Sequence, residues 1–157
     1  MTRTSTCLII CFGSALLDAG EASKAFQQTP DELKLVDLTN RERKKMDLPA
    51  LKLNPALSKI ARAHSENMAR QGKMEHILDK KGLEDRLREG GYKYAKGGEN
   101  IAAGEGVSLA MIMQAWMDSK GHRANILMPE ATEIGLGIAR DKTGKVYYTQ
   151  VFAKPRK

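Results

Sequence analysis

The chain has 157 residues, with 26 Lys plus Arg against 19 Asp plus Glu, a formal charge of +7 and only two cysteines. A composition that is 41% apolar and 29% charged is that of one soluble globular domain. It excludes a disordered, collagen-like or disulfide-dense chain.

Both cysteines, Cys7 and Cys11, lie inside Cys7–Leu17, the one strongly apolar run in the sequence. Arg3 precedes this run and small and polar residues follow it, the order of a secretory signal peptide. A run of eleven residues falls well short of the roughly 20 that span a bilayer. Cleavage is expected after Ala22 or Ala25, with residues 1–25 as the signal peptide, 26–32 as a short leader and 33–155 as the domain. A cut after Ala25 leaves 132 residues with no cysteine and the same net charge. The mature protein is thus expected to be secreted or periplasmic, monomeric and without a transmembrane segment.

A first helix is predicted from Pro30 or Asp31 to about Met46, with Leu35, Val36, Thr39 and Arg43 on one side. Leu48-Pro49 ends it. The second helix is capped by Asn54, opened by Pro55 and closed by Gly72, and Leu57, Ile60, Ala61, His64 and Met68 form its stripe. A short third helix covers Gly82–Glu89, and Gly97-Gly98-Glu99-Asn100 then reads as a glycine-rich loop. Ser108 caps a fourth helix whose apolar face carries Leu109, Ile112, Met113 and Trp116. Residues 133–138 and 146–152 alternate with period two around the turn Asp141-Lys142-Thr143-Gly144, the pattern of an antiparallel hairpin. Helices followed by a hairpin indicate the α+β class.

The chemistry-bearing residues are few. His64 lies on an apolar stripe and reads as a structural histidine. His76 and His122 fall outside the helical patterns, each 23 residues from Glu99, a spacing that matches no short zinc motif. No complete dinucleotide or P-loop glycine pattern occurs, and no Gly-x-Ser-x-Gly elbow. Arg41-Glu42-Arg43-Lys44-Lys45 reads as a solvated helix face, and aromatic residues are only 5% of the chain, so nucleic acid is not an expected partner.

Five segments nevertheless occur in a telling order: Met74-Glu75-His76, Gly98-Glu99-Asn100-Ile101-Ala102, Trp116-Met117-Asp118-Ser119, Gly121-His122-Arg123-Ala124-Asn125-Ile126-Leu127 and Ile134-Gly135-Leu136-Gly137. This set resembles the CAP superfamily of cysteine-rich secretory, antigen-5 and pathogenesis-related proteins, in particular its short disulfide-free bacterial branch, over about residues 33–153. The resemblance implies a three-layer α-β-α sandwich with a small antiparallel sheet. It also implies a central cleft of two histidines and two acids. By motif, His76 and His122 match the histidines and the metal ligands, and Glu99 the first acid. Ser119 stands where the second acid is usual, so three of the four cleft groups are present. Asn100 is expected to bond loop backbone, and Trp116 to be core.

Some members of the family bind zinc or another divalent cation, and others take sterols, fatty acids or peptides. The expected function is therefore a cleft that binds a divalent metal, a small lipid or a peptide ligand, with a cell-envelope component as a further partner class. The alternatives are a metal-dependent hydrolase of peptide or cell-envelope substrates, with Glu99 as its base, and charge-driven binding to anionic envelope polymers.

Overall fold

The computed structural model describes residues 26–156. The expected signal peptide, both cysteines and both cleavage positions lie outside the described residues. Five helices and four strands follow in the order α1 (Pro30–Lys44), β1 (Lys52–Leu53), α2 (Pro55–Gln71), α3 (Leu83–Glu89), β2 (Tyr94–Gly104), α4 (Leu109–Asp118), α5 (Lys120–Ile126), β3 (Glu133–Arg140) and β4 (Val146–Pro155). The sheet order is β1-β3-β4-β2. It is antiparallel except for the two-residue β1, which runs parallel to β3. No helix among the described residues is long and apolar enough to cross a membrane.

The period-two pattern of β4 divides the core into layers. Val146, Tyr148 and Phe152 pack with Leu35, Val36, Ile112, Trp116 and Ile126 from α1, α4 and α5. Val151 and Ala153 face the other way, against Leu57, Ile60 and Ala61 of α2 and Leu87 of α3. Met68, Leu78, Ile101 and Tyr147 extend that second layer. The fold is therefore an α+β sandwich with α2 and α3 on one face of the sheet and α1, α4 and α5 on the other.

Local chemistry sets the helix ends. Thr29 and Glu32 form a capping box on α1, and Asn54 Oδ1 accepts from the Ala56 and Leu57 amides at the start of α2. Gly72 closes α2 at φ 67°, a conformation that costs a residue with a Cβ. Glu32 is fully buried and does more than cap: it pairs with Arg62 of α2 and accepts from the Ile138 amide at 3.1 Å.

Three features depart from the sequence expectations. The glycine-rich segment is not a loop but the middle of the eleven-residue strand β2, paired with β4 from Tyr94 to Gly104. His122 lies within helix α5 and not in an irregular segment. Arg43, expected on a solvated basic face, is fully buried. Its guanidinium donates to the carbonyls of Pro49, Ile126 and Met128 at 2.8–2.9 Å. Burial lowers its pKa from the usual arginine value. Carbonyl partners for its donors make that burial tolerable.

Helix α2 and strand β3 approach each other backbone to backbone. A Cβ on Gly135 would fall on the backbone of Leu57 and Ser58, and one on Gly137 on the backbone of Ala61 and Arg62. Ser58 Oγ accepts from the Leu136 amide at 3.2 Å, and Ser65 Oγ donates to the Gly137 carbonyl at 2.9 Å. With backbone as the obstacle, no rotamer change relieves the overlap. Gly137→Ala is expected to destabilise the domain by about 3 kcal/mol or more, read as a lowered midpoint in urea denaturation.

Candidate functional site

The site is built across β2, an edge strand of the sheet. Successive side chains of a strand point to opposite faces, so neighbouring motif residues enter different layers. Glu99 joins the α2/α3 layer and Asn100 the α1/α4/α5 layer.

On the first side, Glu99 is 7% exposed and both of its carboxylate oxygens are engaged. Oε2 pairs with Arg86 of α3, and Oε1 lies 2.8 Å from His76 Nδ1. A carboxylate only accepts, so the proton of this bond sits on His76 Nδ1, and in the neutral ring Nε2 then keeps its lone pair. Arg86 Nη1 also donates to the His76 carbonyl at 2.9 Å. One guanidinium therefore fixes both the carboxylate and the loop that carries the imidazole. The His76 ring remains half exposed.

His64 of α2 lies behind this group. It is 1% exposed, and among the described residues neither ring nitrogen has a hydrogen-bond partner. Its Nε2 stands 4.0 Å from Glu99 Oε1. Burial pushes its pKa down to about 4, against the opposing pull of Glu99. The structural role expected for His64 fits this neutral, enclosed imidazole.

On the second side, Asn100 is fully buried. Its Nδ2 donates to the His122 carbonyl and to Gln150 Oε1, both at 3.1 Å. Its Oδ1 accepts from Asn125 Nδ2 at 2.9 Å, and Asn125 also donates to the Glu99 carbonyl at 3.1 Å. Gln150 continues to Thr39 of α1 at 2.7 Å. Asn100 thus bonds backbone, as expected, but that of a helix. Gly98 makes room for this contact, since a Cβ there would come within 2.7 Å of Asn125 Oδ1. Trp116, a core residue as expected, donates from Nε1 to the Ile101 carbonyl at 3.0 Å.

The half-buried His122 of α5 has its pKa lowered, by burial first and by nearby His76 second. The structure therefore joins His76 to Glu99 directly, leaves His122 near enough to His76 to feel its charge, and has Asn100 hold the His122 backbone. Ser119 sits between α4 and α5, and its side chain does not cap α5. Asp118 is exposed and accepts from Gln114, away from this group. Arg123 is exposed; the acids Glu130 and Glu133 are engaged elsewhere, Glu130 with Lys96 and Glu133 with Asn54 and Tyr92. Arg86 escaped the sequence reading because no motif marks it. Its only signal is its place between Leu83 and Leu87 on a short amphipathic helix.

The donor set for a metal is limited. Among the described residues, no group of three or more His, Cys, Asp or Glu is arranged to hold an ion. Glu99 is already shared between Arg86 and His76, so the chain offers two imidazoles, with the carboxylate orienting one of them.

The neutral state of His64 has a consequence for stability. An unfolded histidine titrates near 6.5, the folded one near 4. Between these values the unfolded chain binds more protons, so stability falls as the pH drops through this window and is unaffected above it. The loss reaches about 3 kcal/mol at the acid end. Urea denaturation from pH 7 to 4 is expected to show this fall in the wild type, and a correspondingly flatter profile in His64→Leu.

A family model described as the cysteine-rich secretory protein family, CAP, matches residues 36–152. The chain is 39% identical over 124 residues to the Bacillus subtilis protein YkwD, covering 78% of this chain and 47% of that one. It therefore spans about half the length of this curated relative. A solved extracellular protein of Bacillus anthracis containing an SCP domain is 30% identical with a TM-score of 0.71, over 82% of this chain and 44% of the other. An outer surface protein of Borrelia burgdorferi shares the fold at a TM-score of 0.75 and 20% identity, over 83% and 97% of the two chains. This chain belongs to the CAP family.

Proposed function

We propose that the chain is an exported binding domain whose cleft holds one divalent cation, zinc foremost, between His76 and His122, next to a small lipid or peptide ligand. The observation that carries this reading is the 2.8 Å contact of His76 Nδ1 with Glu99, because it leaves Nε2 as a free nitrogen donor on a half-exposed ring. Two neutral imidazoles with water completing the shell make an open and exchangeable site. The apolar N-terminal run behind Arg3 supports export.

Binding is favoured over metal-assisted hydrolysis by the state of Glu99. A general base needs an oxygen directed at water, whereas both Glu99 oxygens already serve Arg86 and His76. Calorimetric titration with zinc is expected to show one site in the wild type and none in His76→Ala/His122→Ala. Equal heats from the two proteins, or none from either, would overturn the metal reading.

A further inference from the structure

Helix α3 has two working faces. Arg86 points into the cleft, while Arg88, about 200° further round the helix, belongs to an open groove on its other side. Glu84, one turn from Arg88, lines the same groove with Tyr92, Lys93, Tyr94 and Arg156. The groove has a volume of about 560 Å3 and shares no residue with the histidine cleft.

Its charge is uneven. Three cations face one carboxylate, and neither Lys93 nor Arg156 has an ion-pair partner among the described residues. The Arg156 amide donates to the Lys93 carbonyl at 3.1 Å, which holds the two backbones side by side. Arg88 pairs with Asp85 across an exposed ion pair, a weak constraint.

The aromatic wall is rigid. Tyr92 and Tyr94 pack against the buried cluster of Leu57, Ile60, Ala61, Leu87, Val151 and Ala153. The Tyr92 hydroxyl donates to Glu133 at 2.5 Å. Beyond Tyr94 the ladder with β4 shifts register before Lys96. This bulge leaves Ala95, another lining residue, outside the regular pairing, as bulges beside binding sites do.

We propose that this groove binds a negatively charged glycan. Sugar rings lie against the Tyr92 and Tyr94 faces, and sulfate, phosphate or carboxylate substituents meet Lys93, Arg156 and Arg88. An acidic peptide would use the cations alone. Preformed aromatic faces favour a ligand with flat apolar ring surfaces, at small ordering cost. The site is independent of the cation proposed for the cleft.

Binding is measured by fluorescence anisotropy with labelled heparin hexasaccharide, in EDTA so that the outcome does not depend on the cleft. Maltohexaose, poly-glutamate and a short oligothymidylate serve as comparators. Heparin is expected to bind more tightly than all three. Lys93→Gln/Arg156→Gln is expected to weaken heparin binding about tenfold, with Lys44→Gln/Lys142→Gln, which removes the same charge elsewhere, changing it less than twofold. Tyr94→Ala is expected to weaken heparin and leave poly-glutamate unchanged, its thermal midpoint confirming that it is folded. No heparin binding, equal losses in the two charge variants, or poly-glutamate or oligothymidylate binding as tightly as heparin would each overturn the proposal.

Discussion

Helix α2 rests on strand β3 where Gly135 and Gly137 put no side chain of the strand between the two backbones, and the rest of the molecule is arranged around that contact. Gly135 and Gly137 give up their side-chain volume to Leu57, Ser58, Ala61 and Arg62. Ser58 and Ser65 then bond directly to β3, and Ser65 also reaches Thr149 Oγ1 at 2.8 Å. These bonds fix the rotation of α2 about its own axis. With that rotation set, Leu57 and Ala61 reach β4, and His64 on the same stripe comes to rest beside Glu99. A helix held further off by ordinary side chains would leave His64 partly wet and Glu99 without its apolar backing.

From this frame the edge strand β2 divides the cleft between two kinds of polar network. The α2/α3 side is ionic: Arg86, Glu99 and His76 in series, with neutral His64 behind. The α1/α4/α5 side is made of neutral groups, running from Asn125 through Asn100 and Gln150 to Thr39. A hydrogen-bonded polar chain such as this second one specifies one arrangement, since any slip strands a donor or acceptor. The second network fixes the backbone of α5 and hence where His122 begins. The first fixes which nitrogen of His76 is free. The division of labour explains why Glu99 and Asn100 must be adjacent: in a strand, adjacency means opposite faces.

Much of this was legible in the sequence because helix ends carry their own signals. Pro30, Asn54, Pro55, Gly72 and Ser108 act at their expected places, and the period-two residues form the β3–β4 hairpin. The ordered motifs pointed to the family and to a common neighbourhood for His76, Glu99 and His122. Strand β2 was hidden because Gly97 and Gly98 signal a turn locally. The real task of Gly98 is to admit Asn125 of α5, a long-range contact with no local signature. Arg43 was hidden for a similar reason. A run of basic residues reads as solvated, and nothing nearby in sequence announces carbonyls more than 80 residues away that accept from it. Arg86 and the groove beyond it depend on which face of a seven-residue helix meets the sheet, a fact of packing and not of pattern.

The central claim is that Glu99, held by Arg86, sets the tautomer of His76 and leaves Nε2 as the donor of the cleft. Long-range 1H–15N correlation spectra of the histidine rings at pH 8 test it directly. The account predicts a protonated Nδ1 and an unprotonated Nε2 for His76, with zinc shifting that Nε2 and one nitrogen of His122 together. An Nε2-protonated His76, or zinc addition that moves neither ring, would contradict it.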